Sequence, residues 1–211
     1  MMFGRRGFVA AAALVLLLAP AEAGAGQPTD HLRTQIDRVV RVLEDPELKK
    51  ESKVTARRGA VRKIANDIFD FSETAKRSLA RHWPPRTPAE REEFTALFAD
   101  LLERSYISKI EVYGGEKIGY LGETIEGDFA TVRTRLVTKQ QTEIPIDYRM
   151  LRRGEKWLVY DVIIEGVSLI ANYRTQFNKI ITTSSYQELV KKMKTKQEEF
   201  YEDERKRTSQ R

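Results

Sequence analysis

The sequence predicts an α+β fold, a four-stranded antiparallel sheet with helices closing over it and a helical annex. Three observations carry that expectation. Apolar residues recur at helical spacing from Leu32 to Ile110, then at a period of two from Lys117 to Glu165. The alternating stretches are joined by connections too short for crossovers, so neighbouring strands run antiparallel. The last of them, Trp157–Ile164, passes through Glu165-Gly166 to Ser168, a residue placed to cap a helix that can lie back over the sheet.

The amino terminus stands apart from this pattern. Arg5 and Arg6 precede an apolar run, Phe8–Ala19, and Ala21-Glu22-Ala23 fits a small-x-small cleavage site. Residues 1–23 therefore read as a secretory signal peptide, too short in its apolar part for a comfortable membrane span. Without those residues the net charge moves from +6 to +5. The chain has no cysteine. Export without disulfides fits a bacterial periplasm better than a small disulfide-stapled extracellular domain. Export, and lysines and arginines diluted by many acids, argue against nucleic acid as a partner.

Leu32, Ile36, Val39/Val40 and Leu43 mark a first amphipathic helix that Asp45-Pro46 ends. A second is expected from about Pro46 to Ile68. Its polar face carries Lys49, Lys50, Lys53, Arg57, Arg58, Arg62 and Lys63 against a single Glu51. That face is either simply solvated or a docking surface, with Lys53, Arg57 and Arg58 as its candidate residues. Phe69-Asp70-Phe71 leads into a short helix with Ala75 and Leu79 inward, stopped by Trp83-Pro84-Pro85. Thr87-Pro88-Ala89-Glu90 is a strong helix start, with Thr at the cap, Pro in the first turn and Glu three residues on. Phe94, Leu97, Phe98, Leu101, Leu102, Tyr106 and Ile110 form the stripe that follows, and Gly114-Gly115 is expected to end it.

The strands are expected at Lys117–Glu123, Phe129–Thr138, Glu143–Arg152 and Lys156–Glu165. Ala130, Val132, Thr134 and Leu136 share one face of the second; Ile144, Ile146, Tyr148 and Met150 share one face of the third. In the fourth, strict alternation puts Trp157, Val159, Asp161 and Ile163 together, with Leu158, Tyr160, Val162 and Ile164 opposite. After the Ser168 helix, Ser185-Tyr186-Gln187-Glu188 starts another. The folded domain is expected to span residues 24–193, with 194–211 a charged tail, either a frayed helix or disordered.

The chemistry of an enzyme is sparse. There are two histidines, His31 and His82, no acidic or histidine cluster at metal spacing, and no nucleophile elbow or phosphate loop. No cofactor is called for. Asp161, flanked by Val159 and Ile163, is the one acid placed to serve as a buried general base. Apolar lining is abundant instead. From the sheet it is Val132, Leu136, Ile144, Ile146, Tyr148, Met150, Val159 and Ile163. From the helices it is Phe71, Leu79, Phe94, Phe98, Leu102, Tyr106, Ile170 and Tyr173. Such residues form either a filled core or a cavity for apolar tails. At roughly 0.8 kcal/mol per methylene, an acyl chain of ~16 carbons gains on the order of 10 kcal/mol before binding costs.

Several stretches in order resemble a known family: Phe69-Asp70-Phe71, His82-Trp83, Phe98-x-x-Leu101-Leu102-Glu103-x-x-Tyr106 and Ile144-Pro145-Ile146-Asp147-Tyr148-Arg149. They continue with Trp157-x-Val159-Tyr160-Asp161-Val162, Glu165-Gly166-Val167-Ser168-Leu169 and Asn172-Tyr173-Arg174-x-Gln176-Phe177. The resemblance is to the MlaC, or toluene-tolerance auxiliary, family of periplasmic phospholipid-binding proteins. It implies a curved, NTF2-like sheet and a phospholipid with its tails in the apolar pocket. It also implies transfer between an outer-membrane lipoprotein complex and an inner-membrane ABC transporter, with transient membrane contact. A related branch is associated with hopanoids, which leaves a sterol-like lipid as an alternative ligand. Two other readings of the residues stand beside it: a periplasmic adaptor using the basic second helix, and a small NTF2-like enzyme with Asp161 as base.

Overall fold

The structure, a computed structural model, describes residues 27–209; the expected signal peptide lies outside the described residues. Four helices come first: α1 (Gln27–Glu44), α2 (Val54–Ile68), α3 (Phe71–Leu79) and α4 (Pro88–Glu111). Five strands follow: β1 (Lys117–Glu126), β2 (Phe129–Val137), β3 (Glu143–Arg153), β4 (Lys156–Ile164) and the two-residue β5 (Val167–Ser168). Helices α5 (Leu169–Thr183) and α6 (Tyr186–Ser209) complete the described chain.

Side-chain caps set most of these boundaries. Thr87 Oγ1 accepts the Glu90 N–H at 3.2 Å and Glu90 Oε2 accepts the Thr87 N–H at 2.8 Å, the reciprocal box expected at the start of α4. Asp70 accepts the Glu73 N–H at the start of α3, and Ser168 accepts the Ala171 N–H at the start of α5. After α1, Asp45 Oδ1 accepts the N–H groups of Glu47 and Leu48 and holds a turn. Lys50 is extended and a 3₁₀ turn over Glu51–Lys53 follows. The second helix therefore starts at Val54, not near Pro46.

The sheet order is β1-β2-β3-β4-β5, antiparallel throughout. Two bulges curve it, one at Leu121 in β1 and one at Tyr160 in β4. The second changes the side-chain arithmetic. Met150 pairs with Val159, but Arg149 pairs with Asp161, so Tyr160 is the extra residue. Alternation is shifted by one beyond it. Asp161 and Ile163 lie on the outer face with Arg149; Val162 and Ile164 join Val159 on the inner face. The expectation that Ile163 shares a face with Val159 is corrected accordingly.

Helices α1 and α2 close over one end of the inner face. Leu32, with Ile36, Ile68 and Phe69, packs on Ala130, Val132, Met150, Trp157 and Val159. Helices α3, α4, α5 and α6 form a separate core around Leu79, Phe94, Phe98, Phe177 and Leu189. A third cluster, Leu43, Val61 and Ile107, joins α1, α2 and α4. The charged stretch beyond Lys194 continues α6 through Ser209 along α4. Tyr201 donates to Asp100 at 2.9 Å, Arg104 donates to the Lys196 carbonyl at 3.0 Å, and the Arg104 guanidinium lies over Phe200.

Candidate functional site

The inner face of the sheet is sealed at one end and open at the other. Val132 and Val159 have no accessible surface. Further along the same strands, Leu136, Ile144, Ile146 and Val162 are only half-buried, Ile164 is 36% exposed and Val167 63% exposed. The register makes these one continuous strip. Ile118 pairs with Leu136, Leu136 with Ile144, Ile146 with Ile164, and Ile164 with Val167. Uncovered apolar surface forgoes about 25 cal/mol per Å², so a trough of this kind is a feature to be explained by what fills it.

Tyr148 lies midway along the trough. Some of its surface stays accessible, yet enough protein surrounds its hydroxyl to push the phenol well above its ordinary value. Burial is the main cause and neighbouring Tyr120 adds to it. Tyr120 is pushed up to about 12, by burial first and then by Asp37, against the opposing effect of Arg33. The Arg33 guanidinium stands 4.5 Å from the Tyr120 ring centre.

The two sets of expected lining residues do not share one space. Leu79, Phe94, Phe98, Leu102 and Ile170 are buried in the core of the helical bundle, with Phe71, Tyr106 and Tyr173 packed against it. The rings of Phe98 and Tyr173 are 5.0 Å apart, those of Phe98 and Phe177 5.2 Å, both edge-to-face. Phe94 in this core has no accessible surface, and Leu79 and Phe98 are 1% exposed. Val132, Met150 and Val159 belong to the sealed end of the sheet with Tyr148 packed against them, whereas Leu136, Ile144 and Ile146 line the open end. On the helical side Tyr106 is close enough to Tyr173 to raise its phenol, after burial, and the Tyr173 hydroxyl donates to Ser105 at 3.5 Å. Ile110, one turn further along α4, is 37% exposed. Val162 and Ile164 join the lining only because of the bulge at Tyr160, which alternation in the sequence does not reveal.

The basic face of α2 is largely tied down. Arg57 and Arg58 both reach Glu111, at 2.9 Å each, and Arg62 reaches Glu103 at 2.6 Å. Burial acts to raise Glu111, but hydrogen bonds from Arg58 and Arg57 outweigh it and hold its carboxyl below the usual range. These arginines fasten α2 to α4. Lys53 is exposed.

Asp161 is 4% exposed and fully engaged: it accepts from the Ser168 hydroxyl at 2.7 Å, the Ile170 N–H at 3.1 Å and Arg149 at 3.4 Å. It is a structural acceptor that seats α5 on β4. Among the described residues no three His, Cys, Asp or Glu side chains are grouped to hold a metal ion, and no helix is long and apolar enough to cross a membrane. A separate cleft of about 280 Å³ lies between α1, α2 and the β3–β4 turn. It is lined by polar Gln35, Arg38 and Asp67 as well as Trp157, and an Arg38–Asp67 ion pair at 2.9 Å crosses it.

A curved antiparallel sheet with a half-open apolar face and helices at its sealed end defines a class of mixed helix-and-sheet domain. The same fold is found in a phospholipid-binding protein from Ralstonia solanacearum, solved in complex with a phospholipid. The match has a TM-score of 0.72 at 23% identity and covers 82% of this chain and 98% of that one. The family model described as MlaC protein matches residues 33–195, and the chain belongs to the MlaC family. It is 24% identical over 138 residues to the intermembrane phospholipid transport system binding protein MlaC of Haemophilus influenzae. That alignment covers 62% of this chain and 64% of the relative's length.

Proposed function

We propose that this protein is a periplasmic lipid carrier. It holds phospholipid acyl chains against the open inner face of the sheet and passes the lipid between membrane complexes without chemical change. The observation that carries the reading is the apolar strip Leu136–Ile144–Ile146–Ile164, only half-covered on a sheet face whose other end is sealed around Val132 and Val159. Acyl chains are the ligand class that such a strip holds by burial alone. Family membership supports the same ligand, since the Haemophilus influenzae and Ralstonia solanacearum proteins are named for phospholipid. Tyr148 and Tyr120 give the trough two neutral phenols beside its apolar wall. Export to the periplasm follows from the expected signal peptide. The engagement of Asp161 by three donors supports a carrier over a catalyst.

Native mass spectrometry of protein purified from a bacterial periplasm, with extraction of the bound lipid, tests this. A stoichiometric phospholipid is the expected result, and its mass counts the chains. A sterol-like mass would move the assignment to a hopanoid. Protein that carries no lipid and takes none from defined vesicles would overturn the carrier reading.

A further inference from the structure

The outer face of the sheet carries an imbalance of charge whose origin is burial. Asp70, Glu73 and Asp161 are 9%, 7% and 4% exposed. These three carboxylates answer Lys76, Arg77, Arg149 and Arg153 from below the surface. What reaches solvent is mostly guanidinium. Arg77 lies over the Tyr160 ring at 4.1 Å and the Phe129 ring at 5.5 Å. Arg174 donates to the Arg77 carbonyl at 3.0 Å, and Arg81 to the Asn178 side chain at 2.7 Å. Arg133 is held by the Thr124 hydroxyl at 3.4 Å. Among the described residues none of Arg81, Arg133 and Arg174 has a carboxylate partner.

The patch is continuous. Thr131 pairs with Arg149 and Arg149 with Asp161, so Arg149 bridges the strand that carries Arg133 and the strand that seats α5. Phe129, 44% exposed, lies two residues before Thr131, under Arg77. The acids that face the patch are Asp147, across from Arg133, and Glu126, across from Phe129. Helix α5 contributes Arg174 and Lys179 and no acid.

We infer that this outer face is the docking surface for a protein partner that presents a carboxylate-rich segment. Arginines braced by backbone and rings are preorganised, and their planar forks match carboxylates two bonds at a time. An exposed aromatic beside them is the usual anchor of a protein interface. A bilayer fits less well, because Phe129 is the main exposed apolar side chain of the patch. The face lies opposite the trough, so a partner seated on it leaves the apolar side free to exchange lipid. This inference rests on the carrier reading for the reason a partner is needed.

The test uses lipid-loaded, full-length mature protein. Its probes are the purified inner-membrane transporter complex and outer-membrane lipoprotein complex of the same bacterium, each in neutral nanodiscs. The wild-type protein should bind at least one of them, more weakly as salt rises. The pair Arg133→Glu and Arg174→Glu should weaken that binding about tenfold or more, with lipid content by native mass spectrometry and melting temperature unchanged. Arg133→Glu alone, which breaks only the hydrogen bond to Thr124, should give a smaller loss and covers the case in which the double variant folds poorly. Lys53→Glu, on the turn before α2, should bind as wild type. Wild-type affinity in the double variant, an equal loss in Lys53→Glu, or no binding of the wild type to either complex would overturn the assignment. Lipid-free wild-type protein would count against the carrier reading, while the binding comparison would still decide the docking face.

Discussion

Ser168 donates its hydroxyl to Asp161 at 2.7 Å, and the same oxygen accepts the Ala171 N–H at 3.0 Å. One side chain therefore caps α5 and moors it to β4. The other Asp161 oxygen accepts the Ile170 N–H, so two successive groups at the start of α5 depend on one buried carboxylate. The sharp turn that makes this possible uses left-handed backbone at Glu165 and Gly166, with φ of 50° and 80°.

Removing that acceptor should destabilise the fold without touching the trough. Asp161→Ala leaves the buried Ile170 N–H and the Ser168 O–H without an acceptor and should cost about 2–4 kcal/mol. Asp161→Asn keeps an acceptor and should cost about 1 kcal/mol. Urea unfolding reads both. Folded Asp161→Asn protein is expected to carry as much lipid as wild type, an outcome that a binding role for Asp161 would contradict.

The open and sealed parts of the apolar set should respond in opposite ways. Ile146→Trp adds bulk where the face is only half-covered, so it should reduce co-purifying lipid and leave stability within about 1 kcal/mol. Phe94→Ala empties a site with no accessible surface and should cost about 3–5 kcal/mol. Lipid analysis and urea unfolding on the same two variants check the pair. Equal lipid loss in both would mean that stability, not the trough, controls binding.

Much of this is legible in the residues because local chemistry decides it. The Thr87–Glu90 box, the Ser168 cap and the alternation of Ala130, Val132, Thr134 and Leu136 all stand where sequence pattern puts them. What is not legible depends on long-range pairing. The Tyr160 bulge shifts Asp161, Ile163 and Val162 between faces, and nothing in the order of β-formers marks it. Nor does periodicity distinguish Phe94, which is fully buried, from Ile146, which is only half-buried; that depends on which helix crosses which strand. The basic face of α2 is visible in the sequence, but Glu111 and Glu103, which hold its arginines, lie more than forty residues away. The stretch beyond Lys194 reads as an unanchored tail because Tyr201 and Phe200 find Asp100 and Arg104 only in three dimensions.

Glu111 makes an acid-side prediction. Its folded carboxyl is held below the ordinary value of 4.5, so its pairing contributes stability above that value and loses it as pH falls through the depressed folded value. Glu111→Gln should therefore be less stable than wild type at neutral pH, and the gap should narrow below about pH 4. Unfolding free energies from pH 7 to pH 3 for the two proteins check this. A constant gap would mean that the Gln is disruptive for reasons other than charge.

The tyrosines act at the other end of the scale. Folded Tyr120 and Tyr186 are both pushed up to about 12, chiefly by burial, and Tyr148 is raised further. The unfolded chain gives up these protons near 10, so stability is complete below that pH and falls as pH rises toward the folded values. Tyr148→Phe removes one such group and should move the alkaline unfolding midpoint upward. Phenolate absorbance and circular dichroism followed together read the midpoint; an unchanged midpoint would place the titration elsewhere.

The last turns of α6 brace the middle of α4. Tyr201 bonds Asp100, Arg104 bonds Asp100 and the Lys196 carbonyl, and Phe200 lies under the Arg104 guanidinium. On its other side the same segment of α4 holds Arg62 of α2 through Glu103. Ending the chain after Thr195 removes one side of this clamp. The hydrogen bonds and the cation–π pair that go with it are part-exposed, so the cost should be about 1–2 kcal/mol. The larger effect should be local. Amide exchange should accelerate in α4 from Asp100 to Ile110, the segment that carries the braced Asp100 and Arg104, while exchange in β2 and β3 stays as in wild type. Tyr201→Phe should give a smaller change in the same direction. Uniform acceleration across the sheet would mean instead that the tail supports the whole domain, and no change in α4 would mean that it merely rests there.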